Sequence, residues 1–384
     1  MKMIIKVFLL MTLVGAQGAL AQNASFIIEG NDGVRLRATP LEVFNSAWAM
    51  TFLPDGRALV TEKSGEIWLL DKSGKKLLKV AQSPTVTMRG QGGMGDIILA
   101  HDFDTSGVVY LSYIERDKQD DRLSGAVVER AKLSLSADHV SLFERAVIWT
   151  QSPKMTDNGH YSHRLALSPD GHLFITSGDR QKFNPAQNMA MNLGKIIRLN
   201  NDGSVPQDNP FVGNGEMAGQ VWSLGHRNPL GIAFDEQGTL WAHEMGPRHG
   251  DELNRITRAT NYGYPLVSEG EHYNGTQIPS HASMPIFQAP DMAWVPAISP
   301  AGLMIYQGER FPDWQGHAFI GGLSSQALIR VDLGQNTTNA NQKPQEAARY
   351  EWGKRIREIE QGPEGLIYVL EDGTGGRLLK LEPM

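Results

Sequence analysis

Stretches in which apolar and polar residues alternate recur along this chain, each interrupted by a turn and then resumed. Residues 46–69 read SAWAMTFLPDGRALVTEKSGEIWL, 163–177 read HRLALSPDGHLFITS, 231–243 read GIAFDEQGTLWAH and 357–370 read REIEQGPEGLIYVL. A period of two is that of a strand. The interruptions are Pro54-Asp55-Gly56, Pro169-Asp170-Gly171, Glu236-Gln237-Gly238 and Pro363-Glu364-Gly365, which read as hairpin turns. Looser copies lie at 96–113 and 303–333, so that copies begin near 46, 96, 163, 231, 303 and 357. A repeat of roughly 50–70 residues with several strands per unit marks a β-propeller. One hairpin cannot bury its own apolar face. Six arranged radially do so and shield most of their strand edges. The pattern predicts an all-β fold, a six-bladed β-propeller with long inter-strand loops, over residues 22–384 as one domain. At about 60 residues, each blade exceeds the ~40–45 of a compact repeat, which leaves loops to build a binding site. Two stacked β-sandwiches are the alternative, but no linker-like stretch divides the chain.

Residues 1–21, MKMIIKVFLLMTLVGAQGALA, break the pattern. Lys2 and Lys6 form a basic start, Val7 to Val14 is an apolar run too short to span a bilayer, and Ala19-Leu20-Ala21 is a small-x-small cleavage site. This reads as a secretory signal peptide cut before Gln22, with a membrane anchor as the alternative. Without Lys2 and Lys6 the chain carries 34 basic and 42 acidic residues, a net charge of −8. No later stretch is apolar enough to span. A soluble, exported and periplasmic protein is expected. The acidic balance and short Lys/Arg runs argue against a nucleic-acid partner. The chain has no cysteine, which excludes disulfides, thiolate metal sites, iron–sulfur clusters and cysteine nucleophiles.

The candidate chemistry sits beside the repeats. Gly90-Gln91-Gly92-Gly93-Met94 precedes the second copy; its glycines allow a close backbone approach, and Gln91 offers a donor and an acceptor. His160-Tyr161-Ser162-His163-Arg164 precedes the third. A histidine there suits a general base, with a plain surface histidine as the competing reading; His163 is the weaker candidate because the strand begins beside it. Leu224-Gly225-His226-Arg227-Asn228-Pro229 precedes the fourth, and Arg227 either grips a carboxylate or bonds loop carbonyls. Glu244 to Asn254, followed by Asn261-Tyr262-Gly263, holds carboxylates and carbonyls of the kind calcium takes, although without EF-hand spacing. Arg355-Ile356-Arg357 opens the last copy. Two arginines at i and i+2 on a strand share a face and suit a multiply charged anion, unless Glu358 and Glu360 neutralise them. If these loops gather at one mouth, they describe a pocket for a polycarboxylate with one proton-transfer group.

Taken together, G-Q-G-G, H-x-S-x-R-L, H-R-N-P-x-G, E-x-G-P-x-x-G-D-E-x-N with N-Y-G-Y-P, and R-I-R resemble the soluble aldose sugar dehydrogenases of the glucose/sorbosone dehydrogenase family. The likeness runs from about Ala47 to the C-terminus. That family is a six-bladed propeller using pyrroloquinoline quinone (PQQ). The resemblance implies that His160 is the catalytic base, that Gln91, Arg227, Asn228, Arg355 and Arg357 surround the quinone, that the Gly246 and Pro247 carbonyls hold the cofactor's calcium, and that Glu252 and Tyr262 belong to a second calcium site. It further implies oxidation of an aldose at its anomeric carbon to a lactone, with hydride transfer to PQQ and an external electron acceptor. Two positions depart from the pattern. The family's quinone-contacting lysine in the fifth copy is replaced by Ser324, and Gly159 stands where glucose-specific members have Asp. The rival readings are a calcium-dependent lactonase, which needs side-chain carboxylates around an axial cation, and a sugar- or protein-binding propeller without cofactor.

Overall fold

The computed structural model describes residues 24–334 and 342–384; the expected signal peptide lies outside them. Two strands, β1 (Phe26–Glu29) and β2 (Arg35–Asn45), come first. The first blade follows as β3 (Ala47–Phe52), β4 (Ala58–Glu62), β5 (Ile67–Leu70) and β6 (Lys76–Lys79). The second is β7 (Met94–Leu99), β8 (Val108–Arg116), β9 (Ser124–Leu135) and β10 (Val140–Thr150). The third is β11 (Ser162–Leu167), β12 (Leu173–Ser177), β13 (Lys195–Leu199) and β14 (Val221–Leu224). The fourth is β15 (Pro229–Phe234), β16 (Leu240–Glu244), β17 (Asp251–Ile256) and β18 (Met292–Trp294). The fifth is β19 (Pro300–Ile305), β20 (Ala318–Gly322), β21 (Ala327–Asp332) and β22 (Gln345–Glu351). The sixth opens with β23 (Ile356–Gln361), β24 (Ile367–Glu371) and β25 (Thr374–Pro383). Each blade is an antiparallel sheet in chain order, and β1 and β2 join the sixth in the order β1-β2-β25-β24-β23.

The first strands of the blades begin within three residues of the starts expected from the repeats, and they form the inner ring. Each packs on its successor, and β23 packs on β3. A strand between two neighbours is buried on both faces, so β19, PAGLMI, is buried at every position. The core lies in layers between blades. Trp48, Leu59 and Leu69 meet Met94, Ile97 and Val109; Tyr110 and Val128 meet Leu165 and Ile175. This layering is why a propeller, not a pair of sandwiches, satisfies the pattern. The ring is closed by both chain ends, with Leu36 opposite Pro383 and Asn45 opposite Thr374. Among the described residues, the α-helices are four residues each, α1 (Phe103–Ser106) and α2 (Glu216–Gly219), and no helix is long and apolar enough to cross a membrane.

Four first-to-second-strand turns share one bonding scheme. The N–H groups of Leu53, Ser168, Asp235 and Gly362 donate to the carbonyls of Arg57, His172, Thr239 and Leu366. The fourth residue of each turn is a glycine at positive φ: Gly56, Gly171, Gly238 and Gly365. A side chain there would be strained, which is why the repeat places glycine at that point.

Candidate active site

Opposite those turns, the starts of the inner strands converge on a cavity of about 410 Å³. All six blades contribute to its lining: Trp48 and Lys63, Gln91, Ser162 and His163, Leu230 and Met245, Ser299 and Leu323, and Arg355, Arg357 and Asp372. The backbone here is strained. Of the twelve non-glycine residues at positive φ among the described residues, eight lie in this region: Ser46, His160, Ser162, His163, Arg180, Gln181, Phe183 and Ser299. Such conformations persist where the surroundings enforce them, and they cluster at functional sites.

His160 is 7% exposed and stands one layer behind the lining. Its backbone N–H donates to Gln91 Oε1 at 2.7 Å, so Gln91, a lining residue, places the histidine. His160 Nδ1 lies 2.6 Å from Asp179 Oδ1. Because a carboxylate accepts, the proton sits on Nδ1 and the Nε2 lone pair is free. Burial holds the imidazole pKa below its ordinary value; Asp179 pushes it back up, and the charge of Arg227 lowers it. The side chain is therefore a neutral base at neutral pH. Asp179 also accepts the N–H groups of Gln181 (2.9 Å) and Phe183 (3.1 Å), which fixes the loop after β12. His163 lines the cavity but is the poorer base. Its Nδ1 lies 2.8 Å from Ser112 Oγ, its ring stacks on Trp48 at 5.0 Å, and burial pushes its pKa down to about 3.

Arg227 and Asn228 also stand behind the lining. Arg227 Nη1 donates to the carbonyl of Met245 (3.0 Å), so the loop-bonding reading holds for that nitrogen, but its buried Nε has no partner. A buried guanidinium N–H without an acceptor is a costly arrangement that an incoming anion relieves. Glu244 Oε2 accepts the Arg227 backbone N–H at 2.5 Å and Oε1 meets His226 Nδ1 at 2.8 Å. Asn228 is spent on the wall, its Oδ1 accepting from Ser162 Oγ at 3.0 Å.

Both Arg355 and Arg357 reach the cavity, but their partner is not the expected one. Arg355 Nε and Arg357 Nε donate to the two oxygens of Asp372, at 2.7 and 2.9 Å. Glu358 is unavailable to them: it pairs with Arg164, beneath the cavity, together with Asp96 at 3.6 Å. The charged groups that line the cavity are thus Lys63, Arg355, Arg357 and Asp372, three cations to one carboxylate. This excess of positive charge fits a polycarboxylate such as PQQ.

The loop after β16 packs backbone carbonyls, the ligand type of a hard cation, close together. A Cβ on Gly246 would stand 2.2 Å from the His249 carbonyl oxygen and 2.3 Å from that of Gly250, so carbonyl oxygens crowd this turn. Asp251 holds the turn in place, accepting from Gly246 N (2.8 Å), Ile298 N (2.7 Å) and Ser299 N (2.7 Å). Pro247 is buried within it. Among the described residues, no group of three or more His, Asp or Glu side chains is arranged to hold a metal. Glu252 and Tyr262 are not brought to the cavity. Burial, and then Glu244 beside it, push the Glu252 carboxyl well above the usual range. The Tyr262 carbonyl faces His281 Nε2 at 3.0 Å, and Glu269 meets His281 Nδ1 at 2.9 Å.

Ser324 is not part of the cavity lining: its Oγ donates to the Ala297 carbonyl at 3.4 Å, while Leu323 lines the cavity. Sequence reasoning missed Asp179, Asp372 and Lys63; Asp251 lay within the Glu244–Asn254 cluster, but its role in bracing the turn was not foreseen. A signal existed for part of this set, because Glu62, Asp179, Glu244 and Asp372 fall at or just past the end of the second strand of four blades.

Comparison with known proteins places this geometry in context. The sequence profile of Glucose/Sorbosone dehydrogenase matches residues 44–380. The chain is 35% identical over 345 residues to aldose sugar dehydrogenase YliI of Escherichia coli, a match covering 88% of this chain and 90% of that protein. The apo crystal structure of the soluble aldose sugar dehydrogenase from Escherichia coli aligns with a TM-score of 0.82 and 32% identity, over 91% of this chain and 100% of that one. The PQQ-bound aldose sugar dehydrogenase from Streptomyces coelicolor aligns with a TM-score of 0.69 and 26% identity, over 90% and 98% of the two chains.

Proposed function

Because the chain belongs to the glucose/sorbosone dehydrogenase family, we propose that it is an exported, periplasmic sugar dehydrogenase that uses PQQ and calcium to oxidise aldoses to lactones. The observation that carries this reading is a neutral histidine, held by Asp179, beside a cavity whose charged lining is three cations and one carboxylate. His160 Nε2 removes the proton of the anomeric hydroxyl, which requires approach to within ~3 Å. PQQ, when bound, supplies the quinone that takes up the two electrons with the hydride from the anomeric carbon. Asp179 stabilises the imidazolium as it forms. Arg227, through its unpartnered Nε, and Arg355 and Arg357 hold carboxylates and so fix the cofactor's orientation. Gln91 keeps His160 in register with it, and Asn228 braces the wall through Ser162. The Gly246 and Pro247 carbonyls are the proposed ligands of the cofactor's calcium, with Glu252 and the Tyr262 carbonyl at a second calcium.

A lactonase is less well supported, since the carboxylate in the lining, Asp372, is held by two arginines. The test is to add PQQ and calcium to purified protein and follow bleaching of an artificial electron acceptor. Bleaching that needs protein, PQQ, calcium and an aldose together is the expected outcome. Lactone hydrolysis without PQQ, or no sugar-dependent bleaching at all, would remove the dehydrogenase reading.

A further inference from the structure

The fifth blade lines the cavity with Ser299 and Leu323 and so offers it no cation. The first blade does. Lys63 directly follows β4, and its backbone is fixed on both sides: its N–H donates to the Ser46 carbonyl and its own carbonyl accepts Met94 N–H, each at 3.0 Å. Gly93 packs so closely that a Cβ there would lie 2.4 Å from the Lys63 carbonyl oxygen. The Lys63 side chain lines the cavity, and Nζ donates to the Gly90 carbonyl at 3.1 Å, next to Gln91. A lysine free to choose would turn to solvent or to its own carboxylate. This one is half-buried among cations. Its electrostatic neighbours are Arg357, Asp372 and Arg355, and both oxygens of Asp372 already accept from the arginines. Two positive charges are left over, and like charges held together in a partly desolvated cavity repel unless an anion stands among them.

We propose that Lys63 is a cofactor-binding residue, the cation that meets a PQQ carboxylate from the first blade and supplies the charge Ser324 lacks. The proposal rests on the PQQ reading above. It is tested by titrating PQQ, with calcium present, into apo-protein and following quenching of intrinsic tryptophan fluorescence, since Trp48 lines the same cavity. Lys63→Gln is expected to weaken binding about ten- to a hundredfold, the range of a charge-assisted hydrogen bond. Lys63→Arg should stay within about threefold of wild type, because it keeps the charge. Lys63→Met retains the apolar stem without the ammonium and should match Lys63→Gln, which guards against a folding defect in either variant. Wild-type affinity in Lys63→Gln and Lys63→Met overturns the proposal and leaves the dehydrogenase reading intact. If the wild type itself binds no PQQ, that reading falls and the proposal with it.

Discussion

The two ends of the propeller are built by different rules. At the end away from the cavity, the hairpin turns are closed by their own residues. Asp55 accepts from Arg57 N–H, and Asp235 accepts from the N–H groups of Gln237 and Thr239. The same scheme recurs in four blades, with glycine wherever φ is positive. At the cavity end, the contacts differ from blade to blade, and many join distant segments. Gln91 and His160 are 69 residues apart, Ser162 and Asn228 66, Asp251 and Ser299 48. There, positive φ falls on His160, Ser162 and His163 as well as on glycines such as Gly90 and Gly373. The repeated end specifies the ring redundantly and cheaply. The other end spends strain and buried charge on one arrangement, so losses at the two ends should differ in kind.

The largest effect should come from His160→Ala. Loss of a general base costs ~10²–10⁴-fold in turnover, and PQQ affinity, read by fluorescence titration, should stay near wild type. Retention of more than about a third of the activity would show that another group is the base. Asp179→Asn comes next. Losing the charged partner of the forming imidazolium should lower kcat by roughly 10–150-fold. The wild-type rate should rise with pH through a pKa below the ordinary histidine value of 6.5, since burial favours the neutral base. Asp179 raises that pKa, so its removal should move the acid limb to lower pH as the plateau falls. A limb that moves upward would contradict the assigned contact.

Ser324→Lys should have a smaller effect. With Lys63 in place and position 324 facing the Ala297 carbonyl, PQQ affinity should tighten by no more than about threefold, or roughly 0.7 kcal/mol. A tenfold gain would mean that the fifth-blade position reaches the cofactor after all. At the opposite end, Gly171→Ala forces a side chain onto a residue with φ of +88°. It should cost about 1 kcal/mol of stability in denaturant unfolding while kcat and KM stay as they were. A change in kcat there would erase the contrast between the two ends.

That contrast also decides what could be read from the sequence. The six inner strands were legible because each repeat carries its own apolar alternation and turn, and a local signal written six times survives noise. The residues at the mouth were found by motif, but their partners were not. Glu358 and Glu360 looked available to Arg355 and Arg357, yet Glu358 belongs to Arg164 of the third blade. Only the ring brings those two together, 194 positions apart in the chain. Asp372 and Asp179 lie just beyond the apolar runs that defined the repeats, in positions where a polar residue looks like the start of a loop. Lys63 carries no pattern at all. Its meaning comes from the arginines that the neighbouring sixth blade sets beside it.

The pairing of β2 with β25 sets the order of assembly. Arg355, Arg357 and Asp372 belong to the sheet that the two chain ends complete together, and the N-terminal strand waits for a partner made last. A chain that stops at Gly373 carries every residue of the cavity lining and still lacks the strand that closes the circle. The lining therefore has its full support only in a chain long enough to include β25, and the cavity depends by topology on both halves of the closing sheet.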